Sequence, residues 1–203
     1  MFMPGTIAAE LGTPKPTSCR NVMRYMFQKQ TLDFTPGSDP RGRDADPYSN
    51  FAYCILGRVI EKASQQSYKA YVRQQILKPI GITNMKIGRG LRADRQRNEV
   101  QYYDEPQAKK VTSVYPDVSE KVSHPDGGFH IEAMDAHGGW IASANDIARF
   151  AALANPYGLT DWQHLGALTG TSSLVMKRGD VSVAILMNAR MKRKTKNLSL
   201  IHI

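Results

Sequence analysis

Tyr48-Ser49-Asn50-Phe51-Ala52-Tyr53-Cys54-Ile55-Leu56-Gly57-Arg58-Val59-Ile60-Glu61-Lys62-Ala63-Ser64 is the stretch from which the rest of the chain is read. Apolar residues at Phe51, Ile55, Val59 and Ala63, with Cys54 and Ile60 beside them, recur at helical spacing. They predict a helix from Phe51 to about Ser64, with Arg58, Glu61 and Lys62 facing solvent. Just ahead of it stand an aromatic hydroxyl, a small hydroxyl and an amide. Taken alone, Ser49 or Asn50 caps the helix and the triplet needs no further role.

Other segments argue for more. Upstream lies Leu32-Asp33-Phe34-Thr35-Pro36-Gly37; downstream come His137-Gly138-Gly139-Trp140-Ile141-Ala142-Ser143, then Asp146-Ile147-Ala148-Arg149-Phe150 and His164-Leu165-Gly166. In this order the set resembles the serine β-lactamase and penicillin-binding-protein superfamily, closest to the class C β-lactamase-related hydrolases and esterases. The resemblance runs from roughly Pro16 to Ala189. It implies an α/β (α+β) fold, an antiparallel sheet flanked by helices with a helical subdomain. It also implies that Tyr48 is a proton shuttle, that Asn50 hydrogen-bonds substrate and a catalytic lysine, and that His164 and Gly166 form the third motif. The backbone N–H of Ala167 would then be half of an oxyanion hole.

The family's nucleophile sits in a Ser-x-x-Lys upstream of these segments, and no serine here has a lysine three residues on. Ser18 leads to Asn21, Ser64 to Ser67, Ser67 to Ala70 and Ser119 to Val122. The expectation is therefore the C-terminal part of a serine hydrolase: an amide- or ester-cleaving acyl-enzyme family, with this chain inactive by itself. The alternative is a non-catalytic remnant or binding module that keeps the cleft without a nucleophile. The physics behind the inactivity is simple. A free tyrosine, with a pKa near 10, is ionised about one time in a thousand at pH 7. A lysine ammonium beside it favours the phenolate. Without serine there is nothing to acylate, and one lost oxyanion donor costs about 10² to 10³ in rate.

Composition narrows the classes. The chain has 203 residues, 41% hydrophobic and 8% aromatic, as in a globular domain with a real core. No apolar run approaches the roughly 20 residues of a membrane helix. Met1 to Leu11 lacks a basic start and carries Pro4, Gly5 and Glu10, so it does not read as a signal peptide. The net charge of +9 is scattered, with clusters at Arg89 to Arg97 and Arg190 to Lys196 but no interleaved aromatics, so nucleic acid is not an expected partner. Cys19 and Cys54 have no metal-type spacing, and Cys54 reads as a small buried hydrophobe rather than half of a disulfide. His124, His130, His137 and Asp135 match no metal motif, and neither metal nor cofactor is expected.

Along the chain, Thr17 can cap a helix from Ser18 to Gln28 with Val22, Met23, Met26 and Phe27 on one face. Ser38 to Asp46 reads as an inserted polar loop. Ser67 starts a second helix with Tyr68, Tyr71, Val72 and Ile76 inward, stopped by Pro79 and Gly81. Thr83 to Asp126 has poor periodicity and at most short strands. Ser143 and Asp146 form a capping-box-like helix start. Trp162 to Leu168, Thr171 to Lys177 and Val181 to Asn188 predict a three-stranded antiparallel sheet, with Arg178-Gly179-Asp180 as a tight turn. Ser172 and Ser173 read as ordinary strand serines. We expect one partial domain over 1–197, helical over about 16–155 and sheet over about 160–190. Residues 198–203 read as a non-native tail. Lacking the family's further strands, the sheet should expose an edge, through which the chain would self-associate.

Overall fold

The computed structural model describes residues 4–32, 34–38, 48–154 and 158–190. The 198–203 tail, the basic cluster after Arg190 and most of the inserted loop lie outside the described residues.

Helix α1, Pro4–Leu11, packs on α2, Cys19–Lys29, through Ile7, Val22 and Tyr25. Ser18, rather than Thr17, caps α2 by accepting from the Asn21 N–H. Its buried residues are Cys19, Val22 and Tyr25, with Met26 packed against the same cluster; of the predicted stripe Val22 and Met26 face inward, whereas Phe27 is 66% exposed, because α1 takes the side that Tyr25 faces.

Helix α3, Asn50–Ser64, is capped by Ser49, whose side chain accepts from Ala52 N–H, and ends on Gln65 in the left-handed conformation. The helix was legible; its orientation was not. Cys54 and Gly57 are its buried residues, whereas Leu56 and Val59 are 54% and 55% exposed. Gly57 is the reason. A Cβ there would meet Ala136 Cβ at 2.6 Å, so this is the side on which the neighbouring segment closes in. Arg58 and Glu61, expected in solvent, are drawn to that side as well: Arg58 pairs with Asp135, and Glu61 accepts from the Tyr68 N–H at 2.8 Å.

Cys19 and Cys54 form a disulfide, which corrects the expectation for Cys54. The first residue of α2 and a buried position of α3 come within 6.5 Å between Cα atoms when the two helices pack, a distance well suited to the bridge.

Helix α4, Tyr68–Tyr71, runs into a π-helical turn over Val72–Leu77 and a 3₁₀ turn over Lys78–Ile80, closed by Gly81 at φ 73°. Leu77, Ile82 and Met85 start a second core that Trp140, Ile147 and Phe150 complete. Between them the chain is irregular, as expected. Its short strands are β1, Lys86–Ile87, and the pair β2, Val111–Thr112, and β3, Lys121–Val122. Strand β4, Trp140–Ile141, pairs antiparallel with β1. Gly139 precedes it, packed so that a Cβ would meet Ile131 O at 2.6 Å and Met134 O at 2.8 Å, contacts that only glycine escapes.

Helix α5, Ala144–Leu153, opens on the predicted box: Ser143 Oγ accepts from the Asp146 N–H at 3.0 Å and donates to its carboxylate at 2.8 Å. It lies against the antiparallel sheet of β5, Asp161–Leu168, β6, Thr171–Arg178, and β7, Val181–Met187, in that order. Gly170 and Gly179, both at positive φ, make the two turns. Along β7, Val181, Val183 and Ile185 alternate outward and are exposed.

Candidate functional site

The local chain order explains the first pair of candidates. Ser49 uses its hydroxyl to cap α3, and Tyr48 and Asn50 flank it at the helix start. The Tyr48 hydroxyl donates to Asn50 Oδ1 at 3.1 Å, and the Tyr48 ring lies 5.8 Å from that of Tyr53. Tyr48 is 55% exposed.

The second set sits on β5. His164 is opposite Val175, Gly166 opposite Ser173 and Ala167 opposite Ser172. His164 and Ala167 are exposed. At Gly166 a Cβ would collide with Ser173 Oγ, so that hydroxyl lies over the glycine and would have to turn away to admit a side chain. Tyr48 and Asn50 are thus joined directly, and Gly166 and Ala167 are joined to the two strand serines.

A third cluster escaped the sequence reading. A cavity of about 390 Å³ lies between the start of α2, α3 and the 130–135 segment, with Ser18, Arg20, Arg58, Glu61, His130 and Glu132 on its walls. Several of its charges are paired with one another, while Arg58 Nε and Asp135 Oδ1 are buried without a hydrogen-bond partner among the described residues. Arg58 bridges Asp135 and Glu61, at 3.4 Å to the latter. Trp140 Nε1 donates to Asp135 O at 2.7 Å, and Tyr115 Oη donates to Glu132 at 2.6 Å. His130 Nδ1 lies 2.8 Å from Thr17 O. Burial raises the pKa of Tyr68 beside this network, with Asp135 adding to the rise and Arg58 opposing it. No sequence signal could have revealed it, because Arg58 and Asp135 are 77 residues apart. None of Tyr48, Asn50, His164, Gly166 or Ala167 lines this cavity.

Of the four residues weighed as metal ligands, His124 stacks on Phe129 at 4.3 Å, while His130 and Asp135 are engaged as above. Among the described residues no group of three or more His, Cys, Asp and Glu could hold a metal ion, and no helix is long and apolar enough to cross a membrane.

Burial pushes the His137 imidazole below 6.5; the Asp135 carboxylate raises it in part and Arg58 lowers it again. A base whose folded pKa is depressed binds fewer protons in the native than in the unfolded state. Its contribution is therefore lost as pH falls below the unfolded value of about 6.5. We expect the thermal midpoint to drop as the pH is lowered from 7.5 to 5.5, and His137→Gln to remove part of that slope. Melting curves of both proteins across this range are the check; parallel slopes would defeat it.

The sequence profile of the Beta-lactamase family matches residues 8–172, a span that includes Tyr48, Asn50, His164, Gly166 and Ala167. The chain belongs to the beta-lactamase family. Solved structures with a similar fold include the D-amino acid amidase from Ochrobactrum anthropi. Its complex with D-phenylalanine has a TM-score of 0.60 at 15% identity, covering 87% of this chain and 59% of the amidase. The complex with L-phenylalanine amide gives 0.58 at 15% identity, covering 87% and 58%. This beta-lactamase-family chain thus spans under three fifths of the length of the amidases it resembles. Its mixed architecture, helices with an antiparallel sheet, is the one they share.

Proposed function

We propose that this chain supplies the Tyr-x-Asn and His-x-Gly parts of a serine hydrolase that cleaves an amide or ester through a serine acyl-enzyme. The observation that carries the reading is the Tyr48–Asn50 pair, held at 3.1 Å at the start of α3 inside the span matched by the family. In that role Tyr48 relays the proton between nucleophile and leaving group, and Asn50 fixes the phenol while presenting its amide N–H₂ to the substrate. His164 and Gly166 border the acyl group, and Ala167 N–H is one oxyanion donor. The amidase likeness favours an amide as the bond cleaved. The serine and its lysine are in no described or undescribed part of these 203 residues. The second reading, a binding module without a nucleophile, rests on that observation alone.

Incubating the purified chain with a β-lactam or a fluorophosphonate probe and weighing it intact tests the chemistry. We expect no covalent adduct. An adduct mapping to Ser172, Ser173 or any other serine would overturn this account.

A further inference from the structure

The glycine of β5 brings a side chain of the neighbouring strand into the candidate site. Leu168 and Thr171 flank the two-residue turn Thr169-Gly170 and form a hydrogen-bonded pair, so alternate residues of β5 turn their backbone groups toward β6. Gly166 is one of these. Ala167 is not, and its N–H points out of the outer edge of β5. Cross-strand partners share a face, as do residues two apart on one strand. Ser173, opposite Gly166, therefore lies on the same side of the sheet as His164.

Where a side chain on Gly166 would begin, the Ser173 hydroxyl already stands, while Ser173 Cβ is 3.7 Å from that point. The hydroxyl thus leans across toward β5, away from Leu186, its partner on β7. Ser173 is half-buried, and among the described residues its hydroxyl has no hydrogen-bond partner. Thr171, two residues earlier on the same strand, shows the contrast: its hydroxyl donates to Met187 O at 3.0 Å. The charge of this face is also one-sided. Among its described strand residues are Lys177 and the exposed His164, and no carboxylate.

We infer that Ser173 is a further substrate-binding residue, its hydroxyl acting with the Ala167 N–H to hold the carboxylate that amide or ester cleavage leaves on the acyl half. The inference rests on the reading of β5 as the strand that borders the acyl group. The two donors flank one residue, Gly166, and a carboxylate offers two oxygens. Hydrogen bonds to an ionised acceptor are the stronger kind. The hydroxyl donates and attacks nothing, so the inference implies no covalent adduct. Gly166 gains a specific purpose: it leaves the space through which a β6 side chain reaches the β5 edge.

N-acetylglycine, a small carboxylate of the kind amide cleavage leaves, serves as the probe. It is titrated into the isotope-labelled chain while NMR follows the Ala167 amide and the His164 ring. We expect saturating shifts at both. Ser173→Ala weakens binding about tenfold, the worth of one hydrogen bond to a charged group. Gly166→Ala does the same, because its methyl turns the hydroxyl aside. The double variant is then no weaker than either single one, as two changes that remove one interaction require. Two results would overturn the inference while leaving β5 as the acyl-binding strand. One is a Ser173→Ala chain that binds as tightly as the parent; the other is losses that add in the double variant. A probe that moves neither Ala167 nor His164 overturns the inference and the reading of β5 together.

Discussion

In a chain extended at its N-terminus by a family segment bearing Ser-x-x-Lys, fluorophosphonate labelling returns, and Tyr48→Phe slows it by about 10² to 10⁴, the usual worth of a general acid–base group. The size follows from the geometry. Phenylalanine keeps the ring and its contact with Tyr53 but removes the hydroxyl that donates to Asn50. In the proposed role, what the substitution removes is the proton relay, not the packing. Asn50→Ala in the same background should cost less, because the phenol remains and loses only its anchor. Labelling rates from intact-mass time courses decide between the readings. If they return but are indifferent to Tyr48, the Tyr-Ser-Asn segment is a helix start and nothing more.

The second large effect is on stability. The Cys19–Cys54 bridge closes a loop with a sequence separation of 35, and such a loop restricts the unfolded chain by about 3 to 4 kcal/mol on the chain-entropy account. Reduced and alkylated protein, or Cys54→Ala, should therefore melt about 10 °C lower. Titration with a thiol reagent should find free thiols only after reduction. Equal midpoints for the oxidised and reduced forms would show that the bridge does not hold α2 to α3.

What could be read in advance divides along the range of the interactions involved. The three strands β5 to β7 and their turns follow from alternation and from Gly179, all local signals, and they emerged within a residue of expectation. So did the Ser49 and Ser143 caps, each a hydroxyl acting on an N–H three residues on. The face of α3 did not, because apolar residues surround most of its circumference and periodicity cannot say which of two apolar sides is covered. Gly57 decided it, through a contact with Ala136 far along the chain. The disulfide was missed for a related reason: pairing depends on how α2 and α3 approach, which spacing does not record. On the site, the triplet Tyr48-Ser49-Asn50 stood out only through its company: alone it reads as a helix cap, and the ordered segments at 32–37, 137–143, 146–150 and 164–166 carried the resemblance that gave it a role. The Arg58–Asp135 network contains nothing unusual at either position.

That pair has a consequence for descent. Arg58 and Asp135 are each mostly covered, and removing one partner of such a pair leaves an uncompensated charge at a cost of about 3 to 5 kcal/mol. Single replacements at either position should therefore destabilise the fold, whereas a joint exchange for two uncharged residues of matching volume should not. Among relatives the two positions should change together or not at all, a correlated inheritance linking two points 77 residues apart in the chain.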